Sequence, residues 1–269
     1  MADVVDDNRT WYQPGDPHHE RVERNYEAVL ARSDVVIANC EPVAESMARF
    51  ASDVRVVPNG LELPGPAPVG PPPAAVAALD RPLLAYVGNL SDRIDLELLE
   101  AVARARPRWN LALVGSAHRD PAALALDRLP NVHVLGVMPY RQVRQLLAHV
   151  DVALIPHVDN EMTRSMNPLK AFVYASAGVP VVSTPVANLP DFGGLITVAE
   201  GADGFVAAIE AHLAAGRPPV DLDLLRPHSW ERRVAQVFEI VDEVLARPAA
   251  GADAAEAGEA AEDQPGATT

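Results

Sequence analysis

Cysteine and lysine are almost missing from this chain of 269 residues, which holds one of each, Cys40 and Lys170. A lone cysteine excludes an intrachain disulfide and a cysteine-built metal site, and it suits a reducing compartment such as the cytoplasm. No apolar run approaches the roughly 18 to 20 residues of a membrane-spanning helix, and no basic-then-apolar signal stands at the N-terminus. Positive charge is also short. Lys and Arg total 22 against 37 Asp and Glu, a net charge of −15, which argues against a general nucleic-acid binder. Part of that excess lies in residues 248–269, an Ala/Gly-rich acidic tail without bulky apolar residues that is expected to be disordered.

What is present is ample apolar content, 49%, in a chain long enough for one large or two modest cores. The chain is organised around Asp159–Lys170 and the segment that follows it to Val182. Lys170 stands alone against 21 arginines. That suits a site wanting a compact ammonium, although on composition alone a surface Arg-to-Lys exchange explains it as well. Its context favours the site. Asn167-Pro168 reads as a helix start, so Lys170 falls in the first turn, beside unpaired N–H groups and the positive dipole end. A cation there is poorly placed for stability and well placed to hold a diphosphate.

The rest of the chain reads as α/β. Residues 1–62 carry three short strands and two helices, too few to close a doubly wound sheet, so this lobe is expected to be incomplete at its N-terminus. Residues 63–81 hold six prolines and read as a semi-rigid linker. Residues 82–228 alternate near-continuous apolar strands with helices, the pattern of a parallel sheet covered on both faces. Ligands of such sheets bind beyond the carboxyl ends of the strands. The turns after Val87, Val114, Leu135 and Ile155 are therefore expected to face the start of the Lys170 helix. Ser229 caps a last helix over residues 229–247 with one apolar face.

Read together, Tyr86-Val87-Gly88, Asp95–Leu99, Asn131–Gly136, Asp151–Pro156, Asn160–Thr163 and Asn167-Pro168-Leu169-Lys170 resemble GT-B-fold glycosyltransferases of the group 1 (GT4-like) family. The resemblance implies a Rossmann-like donor lobe (82–228), a remnant of the acceptor lobe (1–62) and a cross-over helix (229–247). It implies transfer of a sugar from a nucleotide-sugar donor to a glycan or lipid-linked acceptor, as in polysaccharide biosynthesis, with no metal and no further cofactor. The address implied is the cytoplasm, with peripheral membrane association left open, and a separate acceptor-lobe chain is a candidate partner. In similar enzymes the lysine at the Lys170 position contacts the donor diphosphate. Gly88-Asn89 would form the phosphate-side turn, Val137 and Met138 would read the base, and Asn160, Glu161, Thr163 and Asn167 would line the crevice. Relatives often carry an acid three residues after that lysine for the ribose, and here Val173 stands there. No catalytic residue is identified. The alternative is a non-catalytic donor-binding subunit or a degenerate or truncated paralogue.

Several residues admit two readings. His157 is a crevice group or a hydrogen-bonded loop histidine, and Glu161 is a crevice carboxylate or a helix-start acid. Asp6-Asp7 belongs to an interlobe cleft or is a pair of exposed strand-end acids. For Asp221-Leu222-Asp223 and for His18-His19-Glu20, a loop and a helix start outweigh a metal site.

Overall fold

The computed structural model describes residues 1–65, 70–90, 92–117 and 120–248. The acidic tail from residue 249 and part of the proline-rich stretch lie outside the described residues. Within them the strands form two parallel sheets.

The larger sheet is ordered β6-β5-β4-β7-β8-β9, with β4 Leu83–Val87, β5 Asn110–Val114, β6 Val132–Gly136, β7 Val152–Ile155, β8 Val181–Ser183 and β9 Ile196–Val198. Alternate residues feed opposite faces, as strand geometry requires. Leu84, Tyr86, Leu111, Leu113 and Leu154 pack beneath the Leu96–Ala105 and Gly201–Ala215 helices. Leu83, Ala85, Ala112, Val114 and Ile155 pack beneath the Tyr140–His149 and Leu169–Ser176 helices. Both faces are covered, which is why these strands read as unbroken apolar runs. The end of the proline-rich stretch belongs to this unit rather than spacing it: Val76 is buried in the second core and Leu79 packs against it.

The smaller sheet is β1 Ala2–Val4, β2 Val36–Ala38 and β3 Val54–Val56, in that order. Leu30 and Met47, on the Pro17–Leu30 and Glu41–Met47 helices, cover one face together with Cys40. The other face carries Val35, Ile37 and Val57, which pack against Val237, Ile240 and Val244 of the Trp230–Leu245 helix. The C-terminal helix thus returns onto the N-terminal sheet.

A clasp between the two units fixes the crevice. Asn59 donates its backbone N–H to Asn167 Oδ1 at 2.9 Å and its Nδ2 to Asn167 O at 2.8 Å. Leu61 pairs with the Ser229 region, accepting from Trp230 N at 3.0 Å, and its buried side chain packs with Phe172.

Candidate functional site

The carboxyl ends of β1, β2, β4 and the start of the Leu169–Ser176 helix enclose a cavity of about 540 Å³, within the size range of ligand sites. Gly88 ends β4 at φ 150°, and Gly115 ends β5 at φ 151°. A Cβ on Gly115 would lie 1.7 Å from Gly88 O, and one on Gly88 would lie 2.7 Å from Tyr86 Oη and 3.3 Å from Lys170 Cε. Only glycine allows these two turns to meet and the backbone to come so close to Lys170.

Pro168 caps the Lys170 helix with no side-chain bond; Ala171 N–H is donated to Pro168 O at 2.9 Å, and the N–H groups of Leu169 and Lys170 at the helix start face a ligand. Lys170 Nζ lies 2.8 Å from His157 Nε2 and 5.4 Å from the centre of the Tyr86 ring. Burial, and then the charge of Arg93, pull its pKa from 10.5 down to about 7. His157 is 2% exposed, and burial followed by the charges of Lys170 and Arg93 lowers its pKa to about 3. It is neutral in the folded chain. When Lys170 is protonated it only donates, so Nε2 accepts and the ring proton sits on Nδ1; Nδ1 has no partner among the described residues. The loops carrying these groups are tied together: Val158 donates to Arg93 O at 2.9 Å, and Ile94 bridges to His157. Two cations, Lys170 and Arg93, therefore face one cavity at a helix start. This combination attracts a polyanion.

The other end of the cavity is apolar, with Met138, Tyr140, Val143 and Val173. Tyr140 Oη donates to Glu62 Oε2 at 3.3 Å, and Arg144 approaches Glu62 Oε1 at 3.4 Å. The N-terminal wall contributes Asp6 and Asn39. Asn39 is 5% exposed, and neither atom of its carboxamide has a partner among the described residues. Leaving such groups unpaired costs about 1 to 3 kcal/mol each.

Of the residues expected to bind the donor, Lys170, Asn167, Gly88, Asn89 and Met138 line this cavity. The carboxamide of Asn167 is largely committed to the clasp, accepting from Asn59 and donating to Asn188 O at 3.1 Å. Asn160, Thr163 and Glu161 do not line it. Asn160 and Thr163 form a reciprocal capping box on the short Glu161–Arg164 helix, and Thr163 Oγ1 also donates to Val158 O at 2.7 Å, so their polar atoms are spent locally. Glu161 stands in that helix's first turn, the helix-start reading. Val137 is 72% exposed and lies outside the cavity.

Arg93 was hidden among 21 arginines, and only its position in the loop after β4 could have singled it out. The paired acids separate. Asp7 is buried and bonded to Arg9 at 2.7 Å and to Ser46 at 2.6 Å; burial would raise its pKa, but these hydrogen bonds hold it below the ordinary value. Asp6 faces the cavity. Asp221 caps the Leu222–Leu225 helix, and His18 stacks on Tyr12 at a helix start.

The profile of the family described as "Glycosyl transferases group 1" matches residues 81–215. A Bacillus subtilis (strain 168) protein, TuaH, named as a glycosyltransferase of teichuronic acid biosynthesis, is 29% identical over 110 residues. That match covers 40% of this chain and 27% of TuaH, so it spans about a quarter of the curated relative's length. Among solved structures, sucrose-phosphate synthase of Thermosynechococcus elongatus superposes with a TM-score of 0.60 at 21% identity, over 91% of this chain and 67% of that one. An Anabaena protein, HepE, solved with UDP-glucose, superposes with a TM-score of 0.62 at 17% identity, over 85% and 70%. At these identities the structural likeness carries the GT-B fold alone. Among the described residues no helix is long and apolar enough to cross a membrane.

Proposed function

The chain belongs to the group 1 glycosyltransferase family, and from that premise we propose that it provides the donor site for sugar transfer from a nucleotide-sugar. The observation that carries this reading is the pairing of Lys170 with Arg93 around one cavity, at an uncapped helix start and beside the glycine turn at Gly88. The diphosphate lies between these cations, against the first-turn N–H groups and the Gly88-Asn89 turn. The nucleoside occupies the apolar end near Met138, Tyr140 and Val173. As the anomeric carbon–oxygen bond breaks, negative charge grows on the leaving diphosphate. Lys170 and Arg93 stabilise it in a partly desolvated site, where such contacts are stronger than in water. This cation pair neutralises the leaving group, so the reading assigns no metal to the reaction. The acceptor is a glycan or lipid-linked glycan met in the cytoplasm or at a membrane surface, reached from the N-terminal side of the crevice.

Thermal unfolding with UDP, GDP, dTDP and their sugar conjugates tests the reading. Ligand at about 100 times its dissociation constant stabilises by about 2.7 kcal/mol, a shift of several degrees for a chain this size. A shift with one base, lost in Lys170→Ala, is expected. No shift with any of them overturns the donor site, while a shift without sugar transfer points to a non-catalytic donor-binding subunit.

A further inference from the structure

We propose that Asp6 and Asn39, on the N-terminal wall of the crevice, form a subsite that receives sugar hydroxyls, separate from the groups that hold the diphosphate. This rests on the donor-site reading above.

Four observations carry it. The first is placement. β1 and β2 are neighbouring parallel strands in the register Val4↔Ala38, so Asp6 and Asn39 emerge together at their carboxyl ends and line the same cavity as Lys170. The second is the unspent hydrogen-bonding capacity of Asn39. This carboxamide is buried between two sheets' ends, yet its donor and acceptor atoms both lack a partner among the described residues. A side chain kept only for packing would be apolar at this position. The third is that Asp6 is the one carboxylate among the residues lining the cavity. Its neighbour Asp7 is consumed by Arg9 and Ser46, while Asp6 forms no ion pair among the described residues, although the charge of Arg93 reaches it. Burial raises the Asp6 pKa, and Arg93 offsets part of that rise.

The fourth is chemistry. A hydroxyl both donates and accepts, and a carboxylate beside a carboxamide offers both complements. A phosphate would be repelled by Asp6, and a flat base finds its apolar contacts at the other end of the crevice. Hydroxyls of a sugar therefore fit this wall best. They come either from the donor's own sugar or from the acceptor, and the test separates these sources.

Calorimetry compares wild type, Asp6→Ala and Asn39→Leu with UDP, GDP and dTDP and with their glucose, galactose and mannose conjugates. Saturation-transfer NMR then offers p-nitrophenyl glucoside, galactoside and N-acetylglucosaminide to the nucleotide-saturated proteins. If the donor's sugar is held here, both variants bind the preferred conjugate roughly tenfold or more weakly, as loss of a hydrogen bond to a charged or buried group implies. Affinity for the bare nucleotide does not fall in either variant. If the acceptor is held here, neither the bare nucleotide nor its conjugate binds more weakly, and the glycoside signal disappears in the variants. Asn39→Leu should also unfold at the same temperature as wild type or higher, because a matched apolar side chain removes an unpaired buried group. That combination of retained stability and lost binding separates ligand recognition from a structural role. Undiminished conjugate and glycoside binding in both variants overturns the subsite while leaving the donor reading intact. Failure of wild type to bind any nucleotide overturns both.

Discussion

Replacing Lys170 by methionine should make the empty protein more stable and unable to hold a nucleotide. The amine is held at about 7, chiefly by burial and then by the charge of Arg93, against 10.5 when unfolded. At 1.36 kcal/mol per pH unit, that gap corresponds to about 5 kcal/mol. The residue keeps some exposure, so solvent screening reduces the usable part to about 2 to 3 kcal/mol. Methionine also deprives His157 Nε2 of its donor at 2.8 Å, which returns about 1 kcal/mol. The net expectation near pH 7 is a gain of about 1 to 2 kcal/mol. Its pH dependence follows from proton counts. Between about pH 7 and 10.5 the unfolded lysine holds a proton that the folded one has released, so wild-type stability rises with pH across that window. Methionine carries no such term, so its advantage should shrink as pH rises. Urea unfolding at pH 6.5, 8 and 9.5, with unchanged m-values, reads this directly. A methionine variant that is less stable than wild type at every pH, or a gap that does not change with pH, would refute the account of a desolvated amine. Loss of the nucleotide-dependent thermal shift in the same variant completes the test.

Gly115→Ala should destabilise the donor lobe by several kcal/mol or prevent its folding, because the new Cβ would meet Gly88 O at 1.7 Å and backbone strain of this kind costs about 1 to 3 kcal/mol before any clash; wild-type urea unfolding would contradict it. His157, held at about 3, is protonated on unfolding below its ordinary 6.5, so stability should fall as pH drops from 6.5 toward 3, and His157→Phe should flatten that slope in pH-dependent melting curves. Asn59→Ala removes the side-chain bond to Asn167 O while keeping the backbone one to Asn167 Oδ1, and should cost about 1 to 3 kcal/mol together with some nucleotide affinity; a change in neither would mean the clasp does not shape the crevice.

The elements most legible in the sequence are those whose signals are local. Leu83–Val87 and Val152–Ile155 end where the apolar pattern places their turns, after Val87 and Ile155, since buried parallel strands tolerate little polarity. Gly88 and the helix start at Lys170 were legible because backbone requirements leave marks in residue type. Asn160 and Thr163 misled for an instructive reason. Asn-x-x-Thr is itself a capping pattern, and a polar residue spent on a backbone N–H is unavailable to a ligand. The division of labour between Asp6 and Asp7 was not legible, because it depends on Ser46, 39 residues away. Arg93 was likewise invisible until the loops after β4 and β7 were brought together.

The single lysine offers the sharpest check on this reasoning, through its nearest relative in charge. Lys170 Cε would be 3.3 Å from a Cβ on Gly88, its Nζ lies 2.8 Å from His157, and the Tyr86 ring lies beneath it. A guanidinium is wider, planar and unable to shed its proton at any physiological pH. Lys170→Arg must therefore bring a permanent charge into a space that an amine occupies partly by becoming neutral. It should be less stable than both wild type and Lys170→Met near pH 8, and it should bind nucleotide more weakly despite keeping the charge. If instead Lys170→Arg matched wild type in urea unfolding and in nucleotide affinity, charge alone would suffice at this position. The lone lysine among 21 arginines would then be a neutral exchange, and the case for a site built around a compact amine would fall with it.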